Sequence, residues 1–161
     1  MHIQNQLRDF LTSTTSKALI ITGSAGTGKT SLIKEIVKYL NKKPLEYYLL
    51  APTGRAAHNL ENHVSEVAKT SPTTIHSFLY KKDDESIQEI PEILKFSVVE
   101  EKVEDNAVII IDEASMLSHE ATSEKDFLQF GSGHLFKDLI DYLDLSNSNR
   151  KLILVGDPCQ L

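Results

Sequence analysis

The chain carries four short runs of consecutive apolar residues. They lie at positions 18–21, 47–51, 108–111 and 152–155. None of the runs alternates apolar with polar residues, which is typical of strands that are covered on both faces in a parallel sheet. Three segments between them repeat apolar residues at helical spacing. They are residues 31–40, 53–69 and 133–145. Strands that alternate with helices predict an α/β fold, in which a mostly parallel sheet is flanked by helices.

Two segments interrupt this alternation. Residues 81–106 are rich in acidic side chains, and we expect a solvated surface excursion there, because such runs usually face water. Within it, residues 96–99 are compatible with a short strand that follows a break at Pro91. Residues 118–133 form a second irregular segment. No internal repeat is visible, so the length of 161 residues predicts one domain, residues 1–161.

The composition narrows the class of protein further. Apolar residues make up 40% and charged residues 25% of the chain, as in globular proteins. The formal net charge of −6 argues against a protein held on DNA or membranes by bulk charge, so any contact with nucleic acid must be local. The apolar runs are far shorter than the roughly 20 residues of a membrane-spanning helix, and the N-terminus resembles no secretory leader. We therefore expect a soluble, cytoplasmic protein without a membrane partner.

The first candidate for chemistry is the segment from Gly23 to Thr30, which reads G-x-x-x-x-G-K-T between a predicted strand and a predicted helix. Its glycines let the backbone curl so that successive N–H groups point into one anion-sized hollow, and the helix N-terminus adds partial positive charge. Lys29 would reach the β- and γ-phosphates of a nucleotide, and the Thr30 hydroxyl would ligate Mg²⁺. The candidate nucleotide-binding residues are Gly23, Ser24, Ala25, Gly26, Thr27, Gly28, Lys29, Thr30 and Ser31.

The second candidate is a pair of adjacent carboxylates, Asp112 and Glu113, at the end of the run 108–111. At the carboxyl edge of a parallel strand, Asp112 can hold a Mg²⁺ ion while Glu113 points toward the attacking water. A strand that ends in two acids is common, but this one is predicted to share a sheet with the phosphate-binding loop. The two motifs together predict a nucleoside triphosphatase.

Three further segments follow predicted strands or open predicted helices, at the sheet edge where open α/β sheets bind their ligands. They read APTGRAA at 51–57, TIHSF at 74–78 and VGDPCQL at 155–161. Together with GSAGTGKT and IIIDEAS, in this order, they resemble the first RecA-like domain of superfamily 1 DNA helicases. Within that superfamily the set is most similar to the RecD-like branch, the ATP-dependent helicase subunit of exodeoxyribonuclease V and its relatives.

The resemblance implies roles for individual residues and for the intact protein. Lys29 and Thr30 would bind ATP and Mg²⁺, Asp112 would bind Mg²⁺, Glu113 would be the catalytic base, and Gln160 would sense the γ-phosphate. The residues implied in contacts with single-stranded DNA are Thr53, Gly54, Arg55 and His76. The intact protein would couple ATP hydrolysis to movement on single-stranded DNA in recombination or repair, with other subunits of a helicase–nuclease complex as partners. Because such helicases need a second RecA-like domain, we expect this chain to be a fragment of a longer protein.

Several of these residues have a second, structural interpretation. A threonine at the position of Thr53 is also a common helix N-cap, and Arg55 could brace the fold instead of pairing with phosphate. From the residues alone, His76 is better interpreted as an ordinary core or surface histidine. Gln160 has no argument beyond the resemblance and its expected closeness to the γ-phosphate.

Two other classes of function stay open. A P-loop kinase of small molecules would need an acceptor pocket and an arginine-rich lid, whereas the chain holds only Arg8, Arg55 and Arg150. A non-catalytic nucleotide switch would have no need of a base at position 113.

Overall fold

The structure is a computed structural model, and it describes residues 2–24, 26–82, 94–117 and 128–157. In chain order, its helices and strands are α1 (His2–Thr12), β1 (Ala18–Thr22), α2 (Lys29–Leu40), β2 (Tyr47–Ala51), α3 (Gly54–Val64), β3 (Thr73–Thr74), α4 (Ile75–Leu79), β4 (Tyr80–Lys82), β5 (Leu94–Val98), β6 (Val108–Ile111), β7 (Leu128–Phe130), α5 (Leu135–Leu143) and β8 (Lys151–Gly156). Across the described ranges, no helix is long and apolar enough to cross a membrane.

The main sheet has five strands in the order β1-β8-β6-β2-β3. All four pairings are parallel, and β8 and β6 lie in its interior. All four apolar runs form strands of this sheet, as predicted, and a mostly parallel sheet flanked by helices is confirmed. Because the strands are parallel, their carboxyl ends meet at one edge, and the functional segments leave the sheet there.

Helices cover both faces of the inner strands β8, β6 and β2, which explains why their apolar runs do not alternate with polar residues. On β6, Val108 and Ile110 pack into a core beneath α1, α2 and α3, whereas Ile109 and Ile111 pack into a second core beneath α4 and α5. All four side chains are fully buried. The three predicted helices exist with shifted ends: α3 stops at Val64, and the next turns bring Val67 and Ala68 onto the same core. Helix α1, which buries Leu7 and Phe10, was not predicted.

A second sheet corrects the prediction of a surface excursion over residues 81–106. Strand β5 pairs antiparallel with β4 and parallel with β7, and Phe96 stacks on Phe130 with ring centroids 4.7 Å apart. The alternation of Leu94, Phe96 and Val98 on β5 supplies an inward face that the many nearby acidic residues obscured. The predicted short strand is confirmed, and residues 83–93 lie outside the described part of the chain.

A buried polar contact joins the second sheet to α5. The Tyr80 hydroxyl donates to Asp138 Oδ2 at 2.8 Å, and the Ser132 N–H donates to the same oxygen at 2.8 Å. Gly131, between the two, has a φ of +46°, and a Cβ there would lie 2.2 Å from Asp138 Oδ2. This close approach fixes the orientation of the second sheet on the domain.

Candidate nucleotide site

The glycine-rich loop connects β1 to α2, as the motif predicts. Gly26 and Gly28 have φ values of 76° and 85°, a left-handed backbone that glycine adopts without strain. The loop closes on itself because Thr27 Oγ1 donates to the Ser24 carbonyl at 2.7 Å. At its base, the Gly23 N–H donates to the Gly156 carbonyl of β8 at 3.2 Å. Ala25 lies outside the described residues.

Lys29 begins α2, and its side chain folds back over the loop. Its Nζ donates to the Gly23 carbonyl at 2.6 Å and to the Ser24 carbonyl at 3.0 Å. The ammonium group is therefore held beside the hollow, where the phosphates of a nucleotide would meet it. Thr30 and Ser31 follow in the first turn of α2, whose N–H groups have no partner within the helix.

The acidic pair, Asp112 and Glu113, directly follows β6. Asp112 is buried, and burial raises the pKa of its carboxyl group, with the neighbouring Glu113 acting in the same direction. Three interactions favour the carboxylate and oppose this rise in pKa: a hydrogen bond from the Glu113 N–H, 3.0 Å from Asp112 Oδ1, the positive charge of Lys29 and the electrostatic effect of His63. The lysine of the loop thus acts electrostatically on the carboxylate at the end of β6.

Glu113 is held in an unusual backbone conformation. Its φ of 52° and ψ of 39° lie in the left-handed region, which costs a non-glycine residue about 1 kcal/mol or more. Its Oε2 atom is buried and has no hydrogen-bond partner among the described residues. Strain and an unpaired carboxylate oxygen at one residue are typical of a group that is positioned for chemistry and not for stability.

The short 3-10 turn at Ala114–Met116 places a residue that sequence reasoning missed. Ser115 Oγ is also buried without a partner in the described part of the chain. Ser115 packs against the end of β8, where a Cβ on Gly156 would lie 3.0 Å from the Ser115 nitrogen. This contact joins the turn after the acidic pair to the strand that leads into the GD-x-x-Q segment. Gln160 of that segment lies outside the described residues.

A cavity of about 560 Å³ brings Thr30 of the loop and the acidic pair together. Its other wall is formed by α3 and the residue before it. The lining residues are Thr30, Thr53, Arg55, Ala56, Asn59, Leu60, His63, Asp112, Glu113 and Met116. Sequence reasoning assigned no role to Asn59 and His63. The available signal was the spacing of four residues from Arg55 to Asn59 and again from Asn59 to His63, because residues four apart share a helix face.

The candidate DNA contacts divide into two places. Thr53 is the N-cap of α3, and its Oγ1 accepts the Ala56 N–H at 3.2 Å, so the capping interpretation is confirmed. Thr53 and Arg55 line the cavity, and Gly54 begins α3 with open space around its Cα. His76 is not part of that cavity lining; its ring packs edge-on against Phe130 with centroids 4.9 Å apart, and burial lowers its pKa. The structural interpretation of His76 as a packed histidine thus has direct support.

A parallel sheet with a glycine-rich loop after its first strand and an acidic pair after its central strand defines a P-loop nucleoside triphosphatase fold. The AAA domain family matches residues 6–161, and the chain belongs to this family.

The chain is similar to parts of helicases of two kinds. The chain is 33% identical over 105 residues to the ATP-dependent DNA helicase Pif1 of a Psychrobacter species, which covers 64% of this chain and 14% of that protein. It is 29% identical over 158 residues to the RecBCD enzyme subunit RecD of Buchnera aphidicola from Schizaphis graminum, covering 89% of this chain and 22% of that protein. The chain therefore spans less than a quarter of either relative.

A solved structure supports the fold. It shows the structural basis for DNA unwinding at forked double-stranded DNA by two coordinating Pif1 helicases. The match covers 97% of this chain and 32% of the chain in that structure, with a TM-score of 0.53 and 19% sequence identity. The resemblance to the first domain of superfamily 1 helicases is confirmed, whereas the matches do not separate the RecD-like branch from Pif1.

Proposed function

We propose that this chain is the ATP-binding and ATP-hydrolysing motor domain of a DNA helicase of the RecD-like type. The observation that carries the proposal is the convergence of Thr30, Asp112 and Glu113 on one cavity beside the glycine-rich loop. The family match and the helicase relatives support the same activity.

Nucleotide binding follows from the loop and the start of α2. Backbone N–H groups of residues 23–31 would surround the phosphates, and the partial positive charge of the helix N-terminus adds to their attraction. Lys29 Nζ, now bonded to two loop carbonyls, would exchange these neutral acceptors for charged phosphate oxygens.

The residues present fit a Mg²⁺ ion. A threonine hydroxyl and a carboxylate are the hard oxygen donors that this cation prefers, and Thr30 and Asp112 line the same cavity. When bound, Mg²⁺ neutralises charge on the phosphates. Burial disfavours the Asp112 carboxylate, so a cation ligand would stabilise the charged form that the site requires.

Glu113 is the residue we assign to the attacking water. Its buried Oε2 lacks a partner in the described residues and is therefore available to accept a hydrogen bond from a water molecule. A carboxylate in this position orients the water and accepts its proton, a contribution of roughly 10²–10⁴ in rate. Gln160, as the γ-phosphate sensor, remains part of the proposal on the resemblance alone.

The intact protein would couple this hydrolysis to movement on single-stranded DNA. Thr53, Gly54 and Arg55 at the start of α3, with His76, are the proposed contacts to the DNA backbone; free N–H groups and a hydroxyl at a helix start suit sequence-independent phosphate binding. The match to a RecD subunit supports, as a proposal, a role in recombination or repair with other subunits of a helicase–nuclease complex in the cytoplasm. In that setting a second motor domain would supply an arginine to the γ-phosphate, a contribution of roughly 10³–10⁵ in rate.

Two substitutions in the full-length protein test the proposal. Lys29→Ala should abolish binding of a fluorescent ATP analogue, because it removes the ammonium group that is held against the loop carbonyls. Glu113→Gln should bind that analogue normally and lose ATP hydrolysis by roughly 10²–10⁴-fold, with and without single-stranded DNA.

The outcomes separate the classes of function. Transfer of the γ-phosphate to a small acceptor in place of water would indicate a kinase, and tight binding without turnover in the unmodified protein would indicate a switch. Loss of nucleotide binding in Glu113→Gln would show that Glu113 has been assigned the wrong role.

A further inference from the structure

The cavity beside the acidic pair has a second wall on α3, where Asn59 and His63 have no assigned role. Arg55, Asn59 and His63 follow one another at intervals of four residues on α3, and all three line the cavity opposite Asp112 and Glu113. We call these three residues the α3 face. Of the described residues of the glycine-rich loop, only Thr30 contributes to the lining. The cavity therefore extends from the Thr30 end of the loop, past the acidic pair, to the α3 face.

The α3 face offers both hydrogen-bond donors and an acceptor. His63 Nδ1 lies 2.7 Å from the Asn59 carbonyl oxygen, and because a carbonyl only accepts, Nδ1 carries the proton. This bond fixes the ring and leaves Nε2 of the neutral ring as an acceptor, which suits the P–OH group of orthophosphate. The Asn59 amide lies one turn earlier, and Arg55 adds a permanent positive charge at the end of the face nearest Thr53.

The chemistry of this space suits a tetrahedral anion that enters from the side of the nucleotide. We propose that Asn59 and His63 bind the orthophosphate produced by ATP hydrolysis and that the cavity is the route by which it leaves. This inference rests on the proposed function. In that reaction the water oxygen bonds to the γ-phosphorus, the bond from that phosphorus to the bridging oxygen breaks, and the water's proton passes to Glu113 and then to solvent. The products are ADP and orthophosphate.

The position of the cavity favours orthophosphate over a DNA strand. Asp112 and Glu113 line the same cavity and repel any phosphate group, so a strand would have to enter from solvent against a repulsion that instead helps orthophosphate to leave. Orthophosphate is small enough for about 560 Å³ of space and is formed next to those carboxylates, which repel it toward the α3 face.

The histidine rings report on binding directly. In the presence of saturating Mg-ADP, sodium phosphate should shift the ring signals of His63 in a proton–carbon NMR spectrum. The change in chemical shift should saturate at millimolar phosphate. Sodium chloride of equal ionic strength should leave the signals of His63 unchanged. His58, an exposed histidine on the same helix that does not line the cavity, is the internal control. Its signals should stay unchanged.

Matched variants give a second readout that does not depend on activity. His63→Ala and Asn59→Ala should each weaken phosphate binding by about fivefold, which is the loss in affinity expected for one hydrogen bond. Broadening of the phosphorus-31 signal of phosphate measures this affinity. His58→Ala and Asn62→Ala, on α3 but outside the cavity lining, should leave it unchanged.

The two levels of inference fail in different ways. Absence of Mg-ADP binding would overturn the proposed function and this inference with it. If Mg-ADP binds but phosphate shifts the ring signals of His58 and His63 equally, or shifts neither, the proposed orthophosphate site is contradicted. A saturable His63 shift produced by an oligothymidylate and not by phosphate would also overturn it and assign the α3 face to DNA.

Discussion

At the scale of single residues, Glu113 combines two costs that a purely structural residue would avoid. Its left-handed backbone is strained, and its Oε2 is buried without a partner among the described residues. Each costs about 1 kcal/mol or more. A domain tolerates such costs where the chemistry requires a particular group in a particular place.

Replacement of Glu113 by glycine therefore separates stability from function. We expect Glu113→Gly to raise the free energy of unfolding by about 1 kcal/mol, because glycine adopts this backbone freely and leaves no unpaired carboxylate. Hydrolysis should be lost. Urea unfolding followed by circular dichroism measures the first effect and an ATPase assay the second; a destabilised variant would show that Glu113 makes a structural contact.

His76 gives a prediction about pH. Burial lowers its pKa from the ordinary value of 6.5, so the unfolded chain binds a proton more readily than the folded one. The stability that comes from this residue is fully present above about pH 6.5 and is lost as the pH falls through the lowered pKa. His76→Phe keeps an aromatic ring against Phe130 and should reduce the loss of unfolding free energy between pH 7 and pH 5.

The unmodified chain is the reference for that measurement. A loss of unfolding free energy between pH 7 and pH 5 that is as large in His76→Phe as in the unmodified chain would contradict the prediction.

At the scale of elements, the contact between β4 and α5 holds the second sheet on the domain. Tyr80→Phe removes the hydroxyl that donates to the buried Asp138 carboxylate, so we expect a loss of about 1–3 kcal/mol in the free energy of unfolding. Tyr48→Phe is the matched control, since the Tyr48 hydroxyl donates to the exposed Glu46 at 3.1 Å. Thermal unfolding should show a clear difference between the two variants, and similar small losses would mean that the buried bond is not what holds the sheet.

The helices and strands that could be predicted from the sequence are those whose burial shows as a pattern of apolar residues within one segment. The strands β2 and β6 are apolar along their length, and β8 is apolar from Leu152 to Val155, because helices cover both of their faces. Strands β3 and β7 have two and three residues, too few to show a period. The end of α3 was misplaced because the apolar period continues through Val67 and Ala68, which reach the core from turns after Val64.

The candidate site divides in a similar way. The loop and the acidic pair are contiguous motifs, so their chemistry could be inferred before the structure was available. Asn59 and His63 are ordinary polar residues on an amphipathic helix until the fold places them opposite Asp112, roughly fifty positions further along the chain. Ser115 likewise gains meaning only from its contact with Gly156.

At the scale of the whole molecule, the net charge of −6 limits how this domain can bind DNA. Bulk attraction is absent, so the proposed strand contacts must depend on a few local donors, and binding should weaken only gradually with salt. For single strands the logarithm of affinity falls by about 0.7 per logarithm of salt for each phosphate neutralised.

Arg55 tests this argument, because it is the one cation among the proposed strand contacts whose charge does not depend on pH. Arg55→Gln should reduce the magnitude of the salt slope by about 0.7, measured by fluorescence anisotropy of a labelled oligothymidylate across a potassium chloride series. Arg8→Gln is the control, since Arg8 is exposed on α1 and pairs with Asp9 at 3.2 Å. If both variants lower the slope equally, the strand responds to the overall charge of the domain and not to a contact at the start of α3.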